Sequence, residues 1–195
     1  MRKLISLLSL LSLVWAVSAE AHGPSRQKVA EEVVIDAPAA KVWAIVKDFC
    51  SIEKWHPQVK SCTLEGSGTK KGDKRKVTLA DGGWIVEELK KYDPKKRMYK
   101  TFCGCTPDEE VSAAKTITWS GAEVKVPVIP VANYSSIFEV KEADGKTKVV
   151  WRGAFYRAYM NNNPPAEMNE EAAIKAVTEF YRQGLDHLKQ LAESQ

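Results

Sequence analysis

Four cysteines carry the most distinctive side-chain chemistry in this chain: Cys50, Cys62, Cys103 and Cys105. Four cysteines allow three pairings into two disulfides. Alternate residues of a strand lie about 6.5–7 Å apart on one face, which is at the limit of disulfide geometry. The Cys103-Gly104-Cys105 motif therefore predicts a strained disulfide in a glycine-bent turn, two cross-links to the other cysteines, or a redox or soft-metal pair. No histidine lies near the motif to complete a metal site, so we expect no metal.

The His56-Pro57 step is the second candidate for chemistry. If the protein is an enzyme, His56 could act as general acid or base at a cavity entrance, with Tyr134 as its partner. Otherwise His56 ends a helix and packs its ring on Trp55. No nucleophile or paired carboxylate stands at a meaningful spacing, and GxSxG, HExxH, Walker and dinucleotide-binding motifs are missing from the sequence. The residues favour a protein that binds without catalysing, and they predict no catalytic residue and no cofactor.

Aromatic side chains occur along most of the chain and could line a pocket for a hydrophobic small molecule. Alternation places Val149, Trp151 and Phe155 on one face of a strand, which we take as the inward face. Core filling explains any one aromatic residue equally well, so only the whole set supports a pocket. The predicted ligand-binding residues are Trp55, His56, Trp84, Tyr134, Phe138, Trp151 and Phe155.

Two basic clusters lie at the ends of predicted hairpins. They consist of Lys70, Lys71, Lys74, Arg75 and Lys76, and of Lys90, Lys91, Lys95, Lys96 and Arg97. Such charges usually only solvate loops. If the two hairpins are neighbours, the clusters form a patch that fits an acidic periplasmic protein.

Residues 1–21 have the pattern of a secretory signal peptide. Arg2 and Lys3 precede an apolar stretch, and small residues permit cleavage after Ala19 or Ala21. The apolar stretch is shorter than the 18 or more residues expected of a membrane span. We therefore expect a periplasmic protein without a membrane span after cleavage, whose cysteines meet an oxidising compartment.

Composition and charge exclude several classes of protein. The chain has 195 residues, of which 44% are hydrophobic and 28% charged, which excludes disordered and collagen-like chains. Loss of Arg2 and Lys3 lowers the net charge from +4 to +2, or to +3 if Glu20 also leaves. So small a charge gives no reason to expect nucleic acid as a partner. The length predicts a single domain over residues 22–195.

The predicted elements place these residues on an α+β fold. A strand over 29–35 precedes two short helices, and several antiparallel strands follow up to residue 156. The segment 107–131 is ambiguous and contains one strand-like piece, 115–119. Asn163 is the predicted cap of a long last helix that begins at Pro164 and Pro165 and carries one apolar stripe. Such a helix must bury its stripe on the sheet, and a curved sheet around a helix leaves a cavity.

Three sequence segments, 33–43, 49–59 and 149–155, resemble the SRPBCC superfamily, also called START-like or Bet v 1-like. They read VVIDAPAAKVW, FCSIEKWHPQV and VVWRGAF, and a closing helix with glycine–leucine spacing completes the resemblance. It implies a helix-grip fold, in which a curved antiparallel sheet of about six to seven strands surrounds the long C-terminal helix. It also implies that Cys50 and Cys62 lie close enough to form a disulfide. The chain departs from the family pattern by an insertion around residues 103–124.

Among superfamily members, the chain most resembles exported accessory proteins encoded with methanol dehydrogenase in methylotrophs. The resemblance implies a non-catalytic protein that binds a hydrophobic small molecule or assists methanol dehydrogenase or its cytochrome partner. Two alternatives remain open. One is a cyclase or dehydratase that acts on a polyketide-like substrate, and the other is a periplasmic lipid carrier.

Overall fold

The computed structural model describes residues 23–194, so the predicted signal peptide lies outside the described residues. The helices of this range are α1 (Ala39–Val46), α2 (Ile52–Trp55) and α3 (Glu170–Ser194), with a short 3-10 turn at Ala166–Met168. Its strands are β1 (Gln27–Ile35), β2 (Val59–Glu65), β3 (Lys74–Leu79), β4 (Trp84–Asp93), β5 (Met98–Cys103), β6 (Ala113–Trp119), β7 (Ala122–Pro127), β8 (Val131–Ala143) and β9 (Lys146–Arg157).

Seven strands form one antiparallel sheet in the order β1-β9-β8-β5-β4-β3-β2. Burial alternates along β8 and β9, because successive side chains of a strand point to opposite faces and only one face is covered. The covered face packs against α1, α2 and α3. This architecture confirms the predicted α+β helix-grip fold, with a curved sheet of seven strands, a long C-terminal helix and two short helices after the first strand.

Helix α3 carries the predicted apolar stripe. Its buried residues are Ala173, Val177, Tyr181, Gly184, Leu185, Leu188 and Ala192. Gly184 permits the closest approach, since a Cβ atom there would lie 2.5 Å from Cδ2 of His56 and 3.2 Å from Cζ3 of Trp55. A glycine at this position thus allows α3 to pack directly against the end of α2.

The start of α3 differs from the predicted one. Asn163 has a left-handed backbone with φ of 52°, and Pro165 is extended, so the chain is not helical where the cap was predicted. The side-chain Oδ1 of Asn169 accepts a hydrogen bond from the N–H of Ala172 at 2.8 Å and thereby caps the helix. The two prolines precede a 3-10 turn instead of opening the α-helix.

The insertion between β5 and β8 contains a separate two-stranded hairpin, β6–β7. Only the first of its strands was predicted, because the second ends among prolines that read as a loop. Lys115 forms an ion pair with Glu167 at 3.0 Å, and the indole N–H of Trp119 donates to the carbonyl of Asn163 at 2.9 Å. These contacts fix the hairpin to the segment that precedes α3.

Disulfides join Cys50 to Cys62 and Cys103 to Cys105. The first pairing is the one that the family resemblance implies, and the second is the direct bond among the three alternatives for the Cys103-Gly104-Cys105 motif. Within residues 23–194, the search for a helix long and apolar enough to cross a membrane found none.

Candidate functional site

A cavity of about 30 Å³ lies between the covered face of the sheet and α3. This volume holds no more than a few water molecules, because a single water needs roughly 10–15 Å³. Its apolar wall includes Val77, Ile85, Val131, Trp151, Val177 and Phe180. Its polar wall consists of Arg75, Glu87, Tyr134 and Tyr181. The site therefore combines an apolar interior with one polar side.

Arg75 and Glu87 form a buried ion pair in the polar wall. Nε and Nη2 of Arg75 donate to Oε2 of Glu87 at 2.8 and 2.6 Å, and Nη1 donates to the carbonyl of Phe49 at 2.6 Å. The two residues are 2% and 7% exposed. Burial lowers the pKa of Arg75, but the charge and hydrogen bonds of Glu87, together with the nearby Tyr99 and Tyr134, outweigh that effect and raise this pKa overall. The Arg75 guanidinium therefore stays charged within the core.

A chain of hydroxyl groups extends from Glu87. Thr101 donates its hydroxyl hydrogen to Oε1 of Glu87 at 2.8 Å, because an ionised carboxylate can only accept. The Thr101 oxygen then accepts from Ser136, also at 2.8 Å. Next to them the hydroxyls of Tyr134 and Tyr181 share a hydrogen bond of 2.6 Å. Burial raises the pKa of both tyrosines, so both stay protonated.

His56 is held by main-chain groups on both sides of its ring. Nε2 donates to the carbonyl of Phe180 at 2.9 Å, and Nδ1 accepts from the N–H of Gln58 at 3.2 Å. The ring stacks on Phe180 with centroids 3.9 Å apart and lies 5.8 Å from the Trp55 ring. Burial lowers the pKa of His56 to about 4. His56 is therefore neutral and connects α2 to α3. Both of its ring nitrogens are engaged in hydrogen bonds, so neither is available for proton transfer.

The predicted ligand-binding residues occupy three different places. Tyr134 and Trp151 line the cavity. Trp55, Phe138 and Phe155 are buried in the core behind it, together with His56. Trp84 does not line the cavity: Nζ of Lys76 lies 4.2 Å from the centroid of its ring, and strand alternation places both side chains on the outer face, whereas the neighbouring Ile85 lines the cavity.

Sequence reasoning missed Arg75, Glu87 and Tyr181. Arg75 was assigned to a solvated basic cluster, although it alternates with the buried Val77 on β3. Glu87 stands in the same relation to Leu89 on β4. A charged residue at an inward position on each of two neighbouring strands was the signal that could have revealed the pair.

A surface cleft of about 350 Å³ adjoins the cavity. It is bounded by the β3–β4 turn at Ala80 and Asp81, and by Glu179 on α3. Ile129 and Phe180 line both the cleft and the cavity, so these two side chains form the partition between them. Movement of this partition would join the two spaces into one pocket.

Within residues 23–194, no group of three or more His, Cys, Asp or Glu side chains is placed to hold a metal ion.

The family of the chain follows from comparison with known proteins. The family model described as polyketide cyclase / dehydrase and lipid transport matches residues 26–193. The chain belongs to this family. The membership confirms the expected SRPBCC superfamily and supports a ligand-binding fold. Among curated protein sequences, the comparison found no match.

Solved structures of similar proteins agree with this membership. XoxI from Bacillus cereus is 25% identical with a TM-score of 0.60, over 86% of this chain and 94% of that one. An uncharacterised protein from Bacillus thuringiensis is 25% identical with a TM-score of 0.61, over 86% and 98%. The ZhuI aromatase/cyclase from a Streptomyces species is 15% identical with a TM-score of 0.61, over 87% and 94%, and shows the fold alone.

Proposed function

We propose that this protein binds a hydrophobic small molecule that carries a polar group, without catalysing a reaction. The observation that supports the proposal is the mostly apolar cavity with its single polar wall of Arg75, Glu87, Tyr134 and Tyr181. Small-molecule sites are mostly apolar, with a few polar groups that fix orientation. A buried ion pair in a cavity wall fits this pattern.

The ligand enters through the partition formed by Ile129 and Phe180. The cavity alone holds no more than water, whereas small-molecule sites typically measure about 300–1,000 Å³. The adjoining cleft of about 350 Å³ supplies the missing space once the partition moves. Binding therefore selects an open form of the protein.

The polar group of the ligand is recognised by donors in the cavity wall. Nε1 of Trp151, which lines the cavity, is buried and has no hydrogen-bond partner among the described residues. A buried unpartnered donor is unfavourable by about 1–3 kcal/mol, and an acceptor on the ligand removes this cost. A carbonyl or hydroxyl oxygen on an otherwise apolar molecule fits best.

Binding of a neutral fluorophore such as Nile red tests this proposal. Val177→Leu adds one methylene group to the cavity wall, and Val34→Leu adds the same group on the exposed side of β1. We expect Val177→Leu to weaken binding roughly tenfold or more, because one methylene in an apolar pocket changes binding by ~1–3 kcal/mol. Val34→Leu should bind as the unaltered protein does. If the unaltered protein and both variants bind Nile red with equal affinity, the fluorophore binds elsewhere, and this result would contradict the proposal.

The cellular role that we propose is that of an exported accessory protein in periplasmic methanol oxidation. It is supported by the signal-peptide pattern, by the resemblance to proteins encoded with methanol dehydrogenase, and by the likeness to XoxI. N-terminal sequencing of protein from the periplasmic fraction should find residue 20 or 22 first. A chain that retains Met1 in the cytoplasm would contradict export.

An acidic partner protein is a second proposal, and one surface favours it. The exposed Lys70, Lys71, Lys95 and Lys96 form a basic loop patch, and they take part in none of the ion pairs between described residues. A hydrogen bond of 2.9 Å from the N–H of Gly72 to the carbonyl of Leu89 ties the β2–β3 loop to β4, at the sheet end where the β4–β5 turn also lies. Arg75 does not belong to the patch, because it is buried.

Replacement of these four lysines by glutamate tests the patch. We measure the association of the protein with methanol dehydrogenase and with its cytochrome acceptor, both purified from a methylotroph. We expect association that weakens with added salt and is lost in the reversed variant, because complementary charges steer encounter. Association that is unchanged by the reversal would contradict a role for the basic loop patch.

Separate experiments distinguish the enzyme and lipid-carrier alternatives from the proposed binding protein. An enzyme that uses His56 and Tyr134 would need a proton acceptor, yet His56 is engaged by two main-chain groups and the pKa of Tyr134 is raised. A lipid carrier would copurify with acyl chains, which native mass spectrometry would detect. Turnover of a polyketide-like substrate that collapses in His56→Ala would favour the enzyme.

A further inference from the structure

The two disulfides differ in the route by which a reagent reaches them. Cys50 and Cys62 are partly exposed at the surface. Cys103 and Cys105 are buried, with exposed fractions of 1% and 4%. Cys105 lines the cavity and Cys103 does not. A molecule inside the cavity therefore meets Cys105 but not Cys103.

The backbone around Cys105 favours opening of this bond. Cys105 has a left-handed conformation with φ of 59°, which costs a non-glycine residue of order 1 kcal/mol or more. The preceding Gly104 is held in place: its carbonyl accepts from the N–H of Asn133 at 2.9 Å, and a Cβ atom there would lie 2.4 Å from Oε2 of Glu110. Cys105 is thus held in an unfavourable backbone conformation by its bond to Cys103 on one side and by the fixed Gly104 on the other.

The two cysteines also differ in their place in the fold. Cys103 is the last residue of β5 and stands opposite Tyr134 of β8 in the sheet register. Cys105 lies beyond the end of the strand, in the loop that leads into the insertion. After cleavage Cys105 can move with an attached group, whereas Cys103 stays in the core.

We propose that Cys105 is a thiol-exchange site of the cavity, which reacts with apolar thiols. The thiolate of the entering molecule attacks Sγ of Cys105, and a new S–S bond forms there. The Cys103–Cys105 bond breaks, and Cys103 leaves as a thiolate that takes up the proton released by the entering thiol. The products are a mixed disulfide on Cys105 and a free thiol on Cys103, with no other oxidant or reductant consumed.

The inference rests on the proposed entry route, because a thiol must pass Ile129 and Phe180 to reach Cys105. It also gives the cavity a second class of ligand, in which an apolar body carries a thiol. The charged thiols that dominate in cells would react more slowly at this site, since an unpaired charge is strongly disfavoured in an apolar cavity.

The test treats the oxidised protein with benzyl mercaptan or with the cationic thiol cysteamine, followed by alkylation and peptide mass spectrometry. The Cys50–Cys62 bond in the same molecule is the internal reference, so the intrinsic reactivity of each thiol cancels in the ratio of the two rates. We expect this ratio, buried over surface disulfide, to be at least about tenfold higher for benzyl mercaptan than for cysteamine, because cysteamine must bury its charge. The adduct should lie on Cys105 and the alkyl group on Cys103.

Val177→Leu should slow the reaction at Cys105 without affecting Cys50–Cys62, and Val34→Leu should change neither. An adduct on Cys103, or equal ratios for the two thiols, would overturn the proposal. Nile red binding is measured on the same samples. If the fluorophore enters while Cys105 stays inert, the thiol-exchange site is wrong and the proposed ligand cavity stands; if neither occurs, both are wrong.

Discussion

The lowered pKa of His56 makes the stability of the protein depend on pH. The folded-state value is about 4, below the usual 6.5, because burial disfavours the charged ring and the charges of Arg75 and His187 add to this effect. The stabilisation is therefore complete above pH 6.5 and is lost as the pH falls towards 4. The loss amounts to about 3 kcal/mol, from ~2.5 pKa units.

Urea denaturation between pH 7 and pH 4 measures this loss, with His56→Gln as the control. Glutamine can still donate to the carbonyl of Phe180 but does not titrate in this range. The free energy of unfolding of the variant should fall less steeply over these three pH units. Identical slopes for both proteins would mean that His56 is accessible to protons in the folded state.

Removal of one charge of the Arg75–Glu87 pair should lower the free energy of unfolding more than removal of both charges does. Glu87→Gln keeps the shape but leaves the Arg75 guanidinium buried without its counter-charge. We expect a loss of about 3–5 kcal/mol in the free energy of unfolding, as for other broken buried pairs. The double variant Arg75→Met, Glu87→Leu should recover much of that loss. A cost below about 1 kcal/mol for Glu87→Gln would show that solvent reaches the pair.

At the scale of elements, the contact between α3 and α2 depends on Gly184. Alanine favours a helix by up to ~1 kcal/mol over glycine, so an exposed Gly→Ala change would stabilise α3. At Gly184 the new Cβ would lie 2.5 Å from His56, and overpacking of this kind costs about 1–3 kcal/mol. We expect Gly184→Ala to lower the melting temperature. Gln183→Ala, on the exposed side of the same turn, should have little effect, and equal effects of both would contradict the close packing.

Elements whose residues repeat at a clear period were predictable from the sequence. The stripe of α3 and the alternation of β9 follow from local spacing. The cap of α3 was misplaced, because Asn163 and Asn169 both precede plausible helical segments and only the backbone of the prolines decides between them. The strand β7 was missed because proline, which marks loops, is tolerated at the end of a free edge.

At the scale of the whole molecule, the candidate site combines residues that are distant in sequence. Arg75, Glu87, Tyr134 and Tyr181 come from three strands and the last helix, and only the sheet order brings them together. The aromatic residues were visible in the sequence, but which of them face the cavity depends on strand register and on where α3 sits. For this reason the sequence alone does not separate Trp151 and Tyr134, which line the cavity, from Trp84, which lies on the outer face, and it does not reveal the buried ion pair.

The most direct test of the ligand-binding cavity is the indole N–H signal of Trp151 in a ¹⁵N-resolved NMR titration with a neutral aromatic ketone. Its unpartnered Nε1 should gain an acceptor, so this signal should shift and saturate with the ligand. The indole signal of Trp84, which lies on the outer face of the sheet, should stay in place. Assignment by Trp→Phe variants identifies both signals. A titration that shifts Trp84 and leaves Trp151 unchanged would contradict binding beneath α3.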